Sequence, residues 1–99
     1  MNLLPFSKFI VHGNSMLPTY KPGQQVLSFN WGYLFNKPKV GDIVVLEQGG
    51  KKMIKRVKKI RSDEIFVLGD NEKMSTDSRT FGWIKKSQII GKNILTFNF

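Results

Sequence analysis

Ninety-nine residues with sixteen Lys and Arg against seven Asp and Glu carry a formal charge of +9. A chain of this length builds one hydrophobic core, since two would leave each half near the ~40-residue limit for unaided folding. There is no cysteine and His12 is the only histidine, which excludes disulfides, thiolate zinc sites and cysteine nucleophiles and leaves no ordinary ligand set for catalytic zinc.

In chain order, residues 1–6 open without a basic leader or an extended apolar run and are read as part of the mature chain rather than as a signal peptide. No apolar stretch approaches the ~18–20 residues that span a bilayer, so no transmembrane helix is expected. Short runs rich in Val, Ile and Phe then recur between Gly, Pro, Asn and Asp clusters, the pattern of an all-β domain. Strands are expected over residues 8–11, 25–29, 42–46, 52–60, 64–68 and 92–97, arranged as a meander. Gln48-Gly49-Gly50 and Arg61-Ser62-Asp63 read as hairpin turns. Residues 15–20 and 85–90 have room for one helical turn each. The expected fold is a single all-β domain over residues 1–99, built of short, mostly antiparallel strands with at most one or two short helical turns.

A serine hydroxyl becomes a nucleophile only when something accepts its proton. His12 lies three residues before Ser15, on the strand feeding the turn, and reads as a structural or partly exposed histidine rather than a base. A lysine serves only if neutral, and at the ordinary pKa of ~10.4 about one in 2,500 is neutral at pH 7, so burial must bring that value down toward neutrality. Lys55 sits in a strand-like run where alternation places Met53 and Val57 on its face and Ile54 on the other, surroundings that desolvate an ammonium group. The neighbouring Arg56 adds a like charge. Lys51, Lys52, Lys58, Lys59 and Arg61 lie near turns and read as solvated.

Three segments are more specific than strands and turns require: Gly13-Asn14-Ser15-Met16-Leu17-Pro18-Thr19; Gly41-Asp42-Ile43-Val44-Val45 followed by Ile54-Lys55-Arg56-Val57; and Gly69-Asp70-Asn71 followed by Ser75-Thr76-Asp77-Ser78-Arg79. In this order they resemble the four boxes of the type I signal peptidases, the Ser-Lys serine endopeptidases. The resemblance implies Ser15 as nucleophile and Lys55 as general base, a variant of the triad logic in which no metal or cofactor takes part. It further implies that Ser75 hydrogen-bonds the lysine and that Asp77 and Arg79 form an ion pair bracing the site. The Ser15 N–H then belongs to the oxyanion hole, and Gly13 occupies a position that often supplies a second donor but offers no side chain. Without any role in chemistry, Asp77 and Arg79 read as a loop salt bridge, Asp42 as closing a turn, and Asp70-Asn71 as shaping a loop by side chain to backbone bonds.

Typical relatives carry N-terminal membrane helices, and many have a β insertion between the lysine box and the Gly-Asp-Asn box, where only residues 58–68 stand in this chain. The compact form is also similar to the maturation proteases found with nickel-type superoxide dismutase, which remove a short N-terminal extension. The substrate implied is a protein or preprotein bound as an extended strand, cut after small residues to remove a signal peptide or propeptide. Trp31, Tyr33 and Phe35 beside basic residues suit peripheral contact with an acidic membrane, and equally suit capping of the core. The location left open by these features is peripheral membrane or cytoplasm. Seven basic residues within residues 51–61 suggest a nucleic-acid-binding β module as the competing class; it leaves the ordered boxes unexplained, so nucleic acid is not the expected partner. An inactive homologue is the third reading.

Overall fold

The computed structural model of the chain describes residues 5–30 and 37–97. Among them, seven strands form one sheet: β1 (Phe6–Ile10), β2 (Gln25–Phe29), β3 (Ile43–Gln48), β4 (Lys51–Arg61), β5 (Glu64–Leu68), β6 (Ile84–Lys85) and β7 (Ile89–Phe97). The spatial order is β1-β2-β7-β3-β4-β5-β6, and every pairing is antiparallel. The fold is all-β. Helical structure among the described residues amounts to single turns: 3-10 segments at Glu72–Met74 and Lys86–Gln88, and α1 at Ser78–Phe81. None of the helices is long and apolar enough to cross a bilayer.

The strands from β3 to β5 form the meander that the spacing of turn residues predicts, and the short β6 extends it. β3 and β4 meet at a two-residue turn, Gly49-Gly50, with φ of +59° and +79°; a left-handed backbone at both positions is what glycine supplies without steric cost. β7 departs from the meander. It crosses back and inserts between β2 and β3, its first residues pairing with β3 and its later ones with β2. β7 thus bridges two partners, and the sheet closes its middle rather than growing at an edge.

Two apolar clusters show how the sheet is shaped. Val44, Leu46, Val57, Ile65, Val67 and Ile84 are fully buried together on one face. On the other, Val11, Met16, Tyr20 and Val26 pack with Phe9, Ile43 and Ile54. Phe9 on β1 and Ile54 on β4 share this second cluster although three strands separate them in the sheet order, so the sheet is rolled and β1 overhangs β4. Each fully buried Val, Leu or Ile contributes ~1.5–3 kcal/mol relative to exposure, and the roll brings the segment after β1 over the middle of β4.

Residues 15–20 form hydrogen-bonded turns rather than a helix. The Leu17 N–H donates to Asn14 O and the Tyr20 N–H to Met16 O, but Pro18 has no N–H with which to continue. This turn carries Ser15.

Candidate active site

Lys55 lies at the centre of β4, directly opposite Val44 of β3, and is 4% exposed. Period-two alternation gives it the buried Val57 as a same-face neighbour while Ile54 turns to the opposite cluster. Its Nζ is 2.8 Å from Ser15 Oγ and 3.2 Å from Ser75 Oγ. Burial pushes the amine below its ordinary value of 10.5; the negative charge of Asp77 works against this and the positive charge of Arg79 works with it. The like charge that acts on Lys55 is therefore that of Arg79. Arg56, expected from adjacency to exert it, points the other way and makes a two-point ion pair with Asp70, Nε to Oδ1 at 2.9 Å and Nη2 to Oδ2 at 3.0 Å.

Behind the lysine stands a chain of hydrogen bonds. Ser75 Oγ donates to Asp77 Oδ2 at 2.7 Å. Its single proton is thereby committed, and its oxygen faces Lys55 as an acceptor. An amine that donates to Ser75 directs its remaining capacity toward Ser15, and when neutral it presents a lone pair to the Ser15 hydroxyl. Asp77 is fully buried and also accepts from the Gly69 N–H at 3.0 Å, the Arg79 N–H at 3.1 Å, Arg79 Nε at 3.0 Å and Arg79 Nη2 at 3.0 Å. Burial alone would raise its pKa; the hydrogen bonds from Arg79, Gly69 and Ser75 overturn that and hold the carboxyl well below the usual carboxylate range. Asp77 also caps α1 through the Arg79 N–H.

Residues singled out in the sequence thus converge in one connected line: Ser15, Lys55, Ser75, Asp77 and Arg79. Gly13 stands apart. It sits exposed at φ +73°, two residues before Ser15, with open space where a side chain would be. No described hydrogen bond joins His12 to Ser15; the imidazole is exposed at the rim of a cavity of about 140 Å³ that Ser15, Val11, Met53, Ile54 and Lys55 also line. Trp31, Tyr33 and Phe35 lie outside the described residues.

A second network, not foreseen from the sequence, fastens the Ser15 turn to the Gly-Asp-Asn segment. The Asn71 N–H donates to Ser15 O at 2.8 Å, Asn71 Nδ2 donates to Asn14 O at 3.0 Å, and Thr19 Oγ1 donates to Asp70 Oδ2. Arg56 completes the clasp by holding Asp70 and donating through Nη1 to Gly41 O at 2.9 Å. All four boxes therefore tie to one another, Thr19 and Arg56 reaching Asp70 and Arg56 reaching Gly41 O. The available signal was the opposite charge of Arg56 and Asp70 within two of the boxes. Asp42 does close its turn, accepting from the Lys39 N–H at 3.0 Å.

Gly69 explains how closely the parts approach. A Cβ at this position would lie 2.1 Å from Ser75 Oγ and 2.6 Å from Ser15 O, far inside contact distance. The absence of a side chain lets the end of β5 pass between nucleophile turn and supporting serine.

An amine held in apolar surroundings against a serine hydroxyl is equipped to take that proton. The sequence matches the family described as "Signal peptidase, peptidase S26" over residues 1–59 and again over 52–98. It is 25% identical to a probable signal peptidase I-1 of Synechocystis sp., over 88% of this chain and 68% of that protein. It is 32% identical to mitochondrial ATP-independent inner membrane protease subunit 1a of Arabidopsis thaliana, over 86% of this chain and 66% of the relative. A signal peptidase I of Bacillus caldolyticus is 26% identical over 93% and 79% of the two chains. These alignments run to 134, 111 and 144 positions, longer than the 99 residues here, so the relatives carry residues that this chain lacks, and the two family matches meet at the lysine segment. The chain therefore belongs to the S26 signal peptidase family of serine endopeptidases.

Proposed function

We propose that Ser15 and Lys55 are the nucleophile and general base of a compact endopeptidase domain that removes a signal peptide or short N-terminal propeptide from a protein substrate. The observation that carries this reading is the 2.8 Å contact between Ser15 Oγ and the buried Lys55 Nζ. Neutral Lys55 takes the Ser15 proton as Oγ attacks the carbonyl carbon of the scissile bond. The tetrahedral oxyanion collapses, Lys55 returns the proton to the departing amine, and an ester remains on Ser15. Water then gives its proton to Lys55 and attacks the ester, releasing the new carboxyl end and restoring the hydroxyl. The Ser15 N–H serves the oxyanion, with a backbone group or water in place of the side chain that Gly13 lacks. Ser75 aims the amine, and Asp77 with Arg79 holds Ser75.

The substrate lies extended along β4 beneath β1, its residue before the cut seated in the 140 Å³ cavity. Ile10, Val11, Met16, Met53 and Ile54 give that small cavity an apolar wall beside the polar Ser15 and Lys55, which suits Ala or a similarly small side chain. Peripheral contact with an acidic membrane fits the +9 charge, and the removal of a short extension from a single partner protein is the alternative substrate.

The test is cleavage of a peptide library, with and without acidic lipid or detergent, by the natural chain and by Ser15→Ala and Lys55→Ala, with cut sites mapped by mass spectrometry. Cleavage after small residues that both substitutions abolish is the expected result. No cleavage under any condition, with tight nucleic-acid binding that survives Ser15→Ala, overturns it.

A further inference from the structure

The cavity beside the dyad opens directly into a second of about 310 Å³; the two share Ile10, His12, Lys52, Met53 and Ile54, and the second continues to Lys8, Phe9 and Val45. Together they form one groove walled by β1 on one side and β4 on the other. Its floor is apolar and its rim is basic. Lys8 stands on the β1 wall and Lys52 on the β4 wall, and no Asp or Glu lines either cavity.

Both lysines are exposed, and neither has a carboxylate within 4 Å among the described residues. Glu47 faces Lys52 across the β3–β4 ladder but forms no ion pair with it. Instead Lys52 Nζ reaches over the Phe9 ring, 5.7 Å from its centroid, so the charge is held across the groove between its two walls. A cation stationed there without an anionic partner raises the local potential for whatever chain occupies the groove.

The register fixes where that charge falls. Lys52 precedes Lys55 by three residues, about 10 Å at the ~3.3 Å rise of a strand. An extended substrate that has its reacting carbonyl at Ser15 and runs parallel to β4 passes Lys52 two to four residues before the cut. Resting on the peptidase reading above, we infer that Lys52 and Lys8 make this groove selective for an acidic side chain two to four residues before the cleaved bond. The preference is electrostatic and separate from the size selection made beside Ser15; it disfavours substrates that are basic at those positions.

The experiment uses peptides that share a small residue before the cut and carry Glu, Gln or Lys in turn at the second, third and fourth positions upstream. At low salt, kcat/KM is expected to favour Glu over Gln by about fivefold at one of these positions and Gln over Lys by a similar factor, as for one or two partly exposed ion pairs. High salt shrinks both ratios. Lys52→Gln flattens the order and Lys52→Glu reverses it, with thermal melting confirming that each variant is folded. An unchanged order in Lys52→Glu, or equal rates for Glu, Gln and Lys in the natural chain, overturns the inference. Anisotropy of the same labelled peptides on Ser15→Ala reads the groove without catalysis. If no peptide is cut by the natural chain, the peptidase reading fails, while a Glu preference in binding that Lys52→Glu reverses still supports the groove; no preference in binding sinks both.

Discussion

Replacing Gly69 by alanine separates the account from a looser picture in which Ser15 and Lys55 merely happen to be neighbours. The new Cβ would stand 2.1 Å from Ser75 Oγ, 2.6 Å from Ser75 Cβ and 2.6 Å from Ser15 O. Ordinary contact begins near 3.4 Å, so the deficit is about 1 Å on both sides. Rotating Ser75 relieves only its hydroxyl, because the Cβ contact persists and the Ser15 oxygen belongs to backbone. The end of β5 must therefore move, and it carries Asp70 and Asn71, whose bonds hold the nucleophile turn. A displacement of ~1 Å in a catalytic array costs on the order of 100-fold in rate. Overpacking of this kind costs ~1–3 kcal/mol, or a fall in Tm of roughly 4–8 °C per kcal/mol for a domain of this size. The assay is kcat/KM on the best library peptide, paired with thermal melting. Activity within threefold of the natural chain at unchanged Tm refutes the reasoning, because it means that β5 does not thread between Ser15 and Ser75 as described.

Other consequences follow from the charges around the lysine. Arg79→Gln removes a cation that lowers the Lys55 pKa, so the rising limb of kcat/KM against pH moves to higher pH; a limb that stays in place, or moves to lower pH, contradicts that role. Lys55→Met, an uncharged chain of similar length, abolishes cleavage yet raises Tm by several degrees at neutral pH, since removing a desolvated amine is worth on the order of 1 kcal/mol. For Lys55 the folded pKa lies below the unfolded 10.5, so the unfolded chain binds more protons between those two values. Its burden on stability therefore falls as pH rises through that window, and the Tm advantage of Lys55→Met narrows in alkaline buffer. Asp77 has the opposite profile. Its carboxyl is held below the ordinary 3.8, so its contribution is complete above that pH and is lost as pH falls from there toward the folded value; acid titration of Asp77→Asn shows a correspondingly weaker loss of stability. Asp70→Asn releases Arg56 and loosens Thr19, and is expected to lower kcat/KM about tenfold while leaving KM for peptides little changed, as measured by steady-state kinetics.

The strands were legible where alternation was clean and turn residues bounded it. Residues 25–29 and 64–68 coincide with β2 and β5, and the Gly49-Gly50 hairpin follows from glycine chemistry alone. β6 was not legible, since two residues carry no periodicity, and the insertion of β7 between β2 and β3 depends on pairings that local pattern does not encode. The helical turn expected over residues 15–20 failed at Pro18, whereas α1 arises from Asp77 acting as a cap as well as an ion-pair partner. The alternation of Met53, Lys55 and Val57 fits a buried Lys55 but does not by itself separate it from the other lysines; the order of the boxes around it does. The clasp of Thr19, Arg56, Asp70 and Asn71 was not legible, because its bonds span 14, 51 and 57 positions and depend on the sheet rolling β1 over β4. Arg56 shows the same limit in reverse: adjacency to Lys55 in sequence put its charge on the opposite face of the strand.

The most direct test of the central claim is the site and pH dependence of acylation. The natural chain and Lys55→Met are mixed with a good peptide substrate, quenched in acid during the first turnovers, digested and mapped by mass spectrometry. The account predicts an acyl group on Ser15 in the natural chain, accumulating faster as pH rises toward the alkaline range, and none in Lys55→Met at any pH where the protein is folded. An adduct on another residue, or acylation of Ser15 at an undiminished rate without Lys55, contradicts it.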